Sequence, residues 1–287
     1  MFAVSQFTTM AQSAAEDIRS YDEAGVDAIE LCETKFPDSK SERLELVARL
    51  KDTRIRPVSV QPTVHSVFPD RMASEPREPK DRLDAFKASV DFWTDALETP
   101  NLPFVLIAGV APEQNFRDGW RLMPAFVKVA ARFAESRGVR IAFEPLGPNM
   151  MYFDTFVFGL DQGRRLLDMA ESESVGLVID AWHLWEEHRL ETRLEGLADH
   201  VFVVHVCDYP ASHPRGLDDR VVPGDGVIPL KEKFYEPLRN GGYDGPFIFE
   251  LLSDQSLPDS LWNEEPGSLL ARLKRVSDQF PKPRAPR

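Results

Sequence analysis

The chain has 287 residues, 43% hydrophobic and 28% charged, within the ordinary globular range. Its 34 Lys and Arg against 47 Asp and Glu leave a formal charge of −13, which argues against electrostatically driven binding to nucleic acid or an anionic membrane. No run approaches the ~18 apolar residues of a membrane span, the N-terminal MFAVSQFTTM lacks the basic start of a secretory leader, and Cys32 and Cys207 are too few for a disulfide framework. A cytoplasmic location is expected, with both thiols free and buried.

Short apolar runs alternate with amphipathic stretches. Strands are predicted at 2–5, 28–32, 57–60, 104–108, 141–144, 175–180, 201–206 and 246–250. Such continuous apolar runs suit strands buried on both faces of a parallel sheet. Helices are predicted at 11–24, before Gly25, and at 41–51, with Leu44, Leu46, Val47 and Leu50. A charged, proline-containing loop at 69–80 precedes further helices at 81–97, 121–137, 160–170 and 186–197. In 121–137, Leu122, Phe126, Val129, Ala130 and Phe133 recur at helical spacing, and Gly138 is a stop signal.

Eight such units average about 36 residues, the pattern of a single α/β (β/α)8 TIM barrel. An open doubly wound sheet is the alternative, but no G-x-G-x-x-G follows the first strand and no P-loop occurs. One domain is expected over 1–280, with a flexible Pro/Arg-rich tail at 281–287.

In a barrel the strand C-terminal ends face the active-site mouth. Four consecutive strand ends present Glu144 (IAFEPLG), Asp180 (GLVIDAWH), His205 (VFVVHVCD) and Glu250 (FIFELLS), spaced 36, 25 and 45 residues apart. Three unpaired carboxylates in one pocket repel, so a divalent cation is their natural occupant. Oxygen-rich ligation with one imidazole suits Mn²⁺, Mg²⁺ or Co²⁺ better than a structural zinc, and Mn²⁺ is the expected ion.

The phrases FEPLG, IDAWH, HVCD…DDRVVPGDG and FIFEL, in this order, resemble the sugar isomerase/epimerase superfamily with the xylose-isomerase-like barrel. That group includes tagatose-type 3-epimerases, hydroxypyruvate isomerases and inosose dehydratases. The resemblance implies that Glu144, Asp180, His205 and Glu250 bind one divalent metal, with Glu144 and Glu250 as the catalytic acid/base pair. It also implies that His183 contacts substrate and that Arg220 orients it. The implied reaction is proton abstraction alpha to a carbonyl through a metal-stabilised enediolate, in epimerisation or isomerisation of a free keto-sugar or related polyol. A lyase on the same site, either a dehydratase of an inosose or dehydroshikimate type or a deglycosylase of an oxidised glycoside, is the alternative.

Weaker signals surround this set. His65, after the third strand, either contacts substrate or is an ordinary loop histidine. Trp182 and Trp185 flank His183; aromatic faces suit sugar C–H surfaces, and packing under the mouth is expected of at least one. Glu30 fits a salt bridge inside the barrel better than the pocket, and Asp208 either supports the metal site or caps a loop. Arg215 reads as solvated, and His188, His200 and His213 are assigned no function. Isolated arginines, with no phosphate-cradle pattern, favour a free carbohydrate over a sugar phosphate. An apurinic-site endonuclease on this fold would need several more ligands than six histidines and this charge suggest, and a non-catalytic binding subunit conflicts with the intact ligand set. Homo-oligomers are common for such barrels.

Overall fold

Eight parallel strands close into a barrel in sequence order: β1 (Ala3–Ser5), β2 (Ala28–Cys32), β3 (Arg56–Gln61), β4 (Pro103–Leu106), β5 (Arg140–Phe143), β6 (Val175–Asp180), β7 (Val201–Val206) and β8 (Ile248–Phe249). The computed structural model describes residues 1–212, 215–216 and 218–281. His213 and all of the expected tail except Pro281 lie outside the described residues.

Helices α1 (Ala14–Ala24), α2 (Lys40–Lys51), α3 (Pro79–Leu97), α4 (Phe116–Arg137), α5 (Gly159–Ala170), α6 (Ala181–Leu184), α7 (Leu190–Leu197), α8 (Glu236–Gly241) and α9 (Pro266–Ser277) surround the strands. Their ends follow capping chemistry. Ser13 and Glu16 form a reciprocal capping box at the start of α1, and Gly25 ends it in the left-handed conformation at φ +71°. Among the described residues, no helix is long and apolar enough to cross a membrane.

The register explains how this scaffold makes a site. Ala3, Ala28, Val105, Ala142, Val178, Val203 and Ile248 form an apolar plug inside the barrel. Side chains two residues apart share a strand face. Two residues beyond the plug, the chain places Ser5, Glu30, Ile107, Glu144, Asp180, His205 and Glu250. The apolar plug therefore carries a charged layer directly above it. Intervening residues such as Val4, Ile29, Phe143, Ile179 and Val204 pack in the core beneath the helices.

Several sequence expectations shift. Helix α4 buries Met123, Phe126, Val127, Ala130, Ala131 and Ala134, while Leu122 and Val129 are each 42% exposed. The apolar face of the helix is broad, so spacing alone does not choose between stripes one residue apart. The expected 186–197 helix begins later, as α7 at Leu190, with the short α6 lying ahead of the expected span, and periodicity does not separately mark α8 and α9. Strand β8 is only two residues long. Thr8 reinforces this closure, its hydroxyl donating to Phe249 O at 2.9 Å and accepting from Leu251 N at 3.2 Å.

Gly109, three residues beyond β4, lies against the loop following β3. At φ +74°, a Cβ there would lie 1.9 Å from the Phe68 carbonyl oxygen, a backbone atom with little room to withdraw. Gly109→Ala is expected to cost about 1–3 kcal/mol from backbone strain, before any overlap is relieved. Denaturant unfolding would measure it, and an unchanged midpoint would contradict the contact.

Candidate active site

The charged layer is wholly enclosed at its base. His205 is fully buried, and its Nε2 lies 3.0 Å from Glu30 Oε2. Glu30 also accepts from Ser59 Oγ at 2.7 Å and from Gln61 Nε2 at 3.0 Å. Gln61 Nε2 reaches on to Glu250 Oε1 at 2.7 Å. The other nitrogen of His205, Nδ1, is buried without a hydrogen-bond partner. It faces Glu250 Oε2 at 3.4 Å and Glu144 Oε1 at 3.9 Å.

This arrangement fits a cation. Ligand atoms of Glu144, Asp180 and His205 lie within 4.8 Å of one another, as do those of Glu30, His205 and Glu250. Both groups share His205, with Glu30 at its Nε2 and Glu144 and Glu250 on the Nδ1 side. With its proton on Nε2 toward Glu30, the imidazole offers the Nδ1 lone pair to the carboxylates' side. A carboxylate fixing the remote nitrogen of a ligating histidine is a common support for metal sites. Glu30→Gln is therefore expected to lower divalent-metal affinity about 10–100-fold, measurable by calorimetry. Unchanged affinity would show that Glu30 does not orient His205.

The titrating groups show what the layer needs. Burial, with repulsion from Asp180 and Glu144, pushes the Glu250 carboxyl up to about 8 despite His205 and Arg220. Burial opposes a charged His205, yet Glu250 and Glu30 raise it well above the ordinary imidazole value. Asp180 is held below its usual value: burial is outweighed by Arg220, His183 and His205. A dication among these groups would replace the imidazole's extra proton and relieve the carboxylate repulsion.

Arg220 is the fixed cation beside the layer. Its Nη1 donates to Asp180 Oδ2 at 2.8 Å, Glu250 Oε2 at 2.9 Å and Glu250 O at 3.2 Å. Its guanidinium carbon lies 5.7 Å from the centre of the Trp182 ring. Trp182 itself packs against Tyr209, with ring centres 4.7 Å apart.

Above the layer is a cavity of about 60 Å³, lined on its polar side by Gln61, His65, Glu144, His183, Arg220 and Glu250. Phe7, Ile107, Leu146, Met150 and Leu252 form apolar walls. Phe7, Leu146 and Leu252 stand two residues beyond Ser5, Glu144 and Glu250, one step higher along the chain. The structure thus brings Glu144, Glu250, His183, Arg220 and His65 to one cavity, with Asp180 and His205 at its base. Trp182 is not on the cavity wall; its ring is committed to Tyr209 and Arg220. The His183 side chain is 4% exposed, with Nε2 3.9 Å from Asp180 Oδ2 and Nδ1 unpartnered.

Glu30 belongs inside the barrel, paired to His205. Asp208 caps the following turn, accepting from Gly224, Gly226 and Ile228 amides at 2.9, 3.2 and 2.8 Å. Arg215 pairs with Asp219 and Asp259. Gln61 and Ser59 escaped notice in the sequence because neutral polar residues at a strand end carry no distinctive pattern.

The family profile described as xylose isomerase-like TIM barrel matches residues 18–273. The chain belongs to the xylose isomerase-like TIM barrel family. A search of curated proteins finds no match. Among solved structures, a protein from Sinorhizobium meliloti 1021 is similar at 22% identity and TM-score 0.82, covering 96% of this chain and 97% of its own. D-psicose 3-epimerase from Clostridium cellulolyticum H10, solved with D-tagatose, is similar at 16% identity and TM-score 0.73, with 96% of each chain covered. The IOLI protein, solved with a zinc atom, is similar at 19% identity and TM-score 0.74, again with 96% of each covered. At these identities the likeness is one of fold.

Proposed function

We propose that this member of the family is a divalent-metal-dependent epimerase or isomerase of a free keto-sugar or related polyol, with Mn²⁺ as its working ion. The observation carrying this reading is the unpartnered, buried Nδ1 of His205, facing Glu144 and Glu250 above a closed barrel floor. Glu144, Asp180, His205 and Glu250 would hold the metal. The D-psicose and L-ribulose 3-epimerases among the fold's neighbours agree with a carbohydrate substrate.

When bound, the dication supplies Lewis-acid stabilisation of the charge that develops on a carbonyl oxygen as the neighbouring C–H ionises. The protein's own groups do the rest. Of Glu144 and Glu250, one takes the proton from carbon and the other returns a proton to the opposite face, inverting that centre. If a single carboxylate performs both transfers, the proton moves between carbons and an isomer results. His183 and His65 offer ring nitrogens to substrate hydroxyls, while Arg220 keeps Asp180 and Glu250 fixed.

The test is a panel of keto-sugars, polyols and oxidised glycosides incubated with the Mn²⁺-loaded protein in deuterated water and read by mass spectrometry. Deuterium gain at a carbon alpha to the carbonyl, without loss of water or an aglycone, is expected, and chelation should stop it. An unsaturated or cleaved product would select the lyase. Exchange that survives complete metal removal would overturn the metal-dependent reading.

A further inference from the structure

The loop between β3 and α3 is built around Arg82, a wholly buried side chain of α3. Arg82 donates to the carbonyls of Ser66, Ala73 and Pro76 at 2.9, 2.9 and 2.8 Å, and lies 3.5 Å from Asp70. Asp70 accepts from the amides of Met72 and Ala73 at 2.7 and 2.8 Å. The base of the loop is fastened to the end of β4 through Val67 N to Ile107 O and Phe68 N to Ala108 O, at 3.1 and 3.0 Å. These bonds make the loop a firm arm, and Arg71 is its tip.

Arg71 joins two other loops of the mouth. Its Nε donates to Asp154 Oδ2, after β5, at 2.7 Å. Its Nη1 and Nη2 donate in a fork to Asp218, after β7, at 2.6 and 2.9 Å. Its backbone amide donates to Phe153 O at 3.1 Å. Arg71, Asp154 and Asp218 line the same cavity as Glu144 and Glu250. That cavity, about 60 Å³, is well below the roughly 300–1,000 Å³ of typical small-molecule sites.

We propose that Arg71 is a specificity-determining residue: clamped between Asp154 and Asp218, it roofs the carboxylate layer and restricts the substrate to short, unsubstituted keto-sugars that fit beneath it. This rests on the functional reading above and decides within it against substituted glycosides. The Asp154 arm is nearly buried, whereas Arg71 and Asp218 retain 29% and 23% side-chain exposure, so the Asp218 arm is the one that yields on substrate entry. Partly exposed ion pairs hold weakly enough to open and close. Closed, the roof keeps bulk water from the acid/base carboxylates.

The test compares a free ketohexose with the same sugar carrying a benzyl ether on its terminal hydroxyl, using α-proton exchange in the Mn²⁺-loaded protein. The wild type is expected to prefer the free sugar. Arg71→Ala should shift the ratio of the two kcat/KM values toward the ether by at least about tenfold, with a smaller shift for Arg71→Lys. Asp218→Asn removes only the exposed arm, provides a second variant if Arg71→Ala does not fold, and should shift the ratio in the same direction. An unchanged ratio in the folded variants would overturn the proposal. Should the wild type exchange no sugar, the functional reading fails, and hydrogen exchange of the metal-free protein judges the roof separately. Amides 67, 68 and 70–73 should then exchange about five- to tenfold faster in Asp218→Asn than in wild type. Equal protection would remove the clamp.

Discussion

Glu250→Gln is expected to lower α-proton exchange about 10²–10⁴-fold, the usual contribution of a positioned acid or base. The amide keeps the shape of the side chain but cannot take up or return the proton. It also removes one carboxylate facing His205 Nδ1, so weaker metal binding accompanies the loss. Stability should behave differently. Burial already pushes Glu250 toward its neutral form, with a carboxyl at about 8, and a neutral amide in the metal-free protein resembles that state. Unfolding of the metal-free variant is therefore expected at the wild-type midpoint or above. Loss of exchange together with retained stability would assign Glu250 a chemical role. Full exchange in the Mn²⁺-loaded variant would remove it from the acid/base pair.

The largest stability loss is expected at a site outside the cavity. Lys35 Nζ and Asp17 Oδ2 are 2.6 Å apart, with side-chain exposures of 2% and 0%. Lys35 also donates to the carbonyls of Gln6 and Thr9, and Asp17 accepts from both of those side chains. Burial raises the Asp17 carboxyl to about 6 even beside Lys35, and burial likewise lowers the Lys35 ammonium. Each charge is tolerated only because of the other. Lys35→Met would leave the carboxylate alone and is expected to cost about 3–5 kcal/mol, measured by denaturant unfolding at neutral pH. Adding Asp17→Asn should recover much of the loss.

The pH dependence has a defined sign. A carboxyl at 3.8 when unfolded and about 6 when folded contributes stability that is complete below 3.8 and declines as pH rises through about 6. Without Lys35 the folded carboxyl rises further, so the variant's deficit should shrink on acidification from pH 8 to pH 5. A deficit independent of pH would place the cost in lost packing.

Much of this architecture was legible in the sequence because two periodicities coincide. Runs such as VGLVID and VFVVHV reveal buried strands, and their polar ends mark which residues reach the mouth. Glu144, Asp180, His205 and Glu250 were visible by that logic. Glu30 was visible as a barrel residue, but its bond to His205 joins groups 175 positions apart, which no local pattern encodes. Trp182 shows the opposite limit. A residue beside His183 reads as a substrate contact, yet one step along a short helix its ring packs against Tyr209 and Arg220. The roof was the least visible part, since Arg71, Asp154 and Asp218 sit in three irregular loops whose charges read as ordinary solvated groups.

The two-residue strand β8 bears on how the protein comes into being. During synthesis Glu144, Asp180, His205 and Glu250 emerge over residues 144–250, whereas Glu30 and Gln61, which bond His205 and Glu250, are made long before. Thr8 must then wait for Phe249 and Leu251, about 240 residues later, before the seam can be stitched. Such distant partners make ring closure a late event in folding. Neither half of the chain holds the whole layer: Glu30 and Gln61 come from the first half, while Asp180, Glu250 and the Arg220 that pairs with both come from the second. The charged layer is therefore complete only when the ring is.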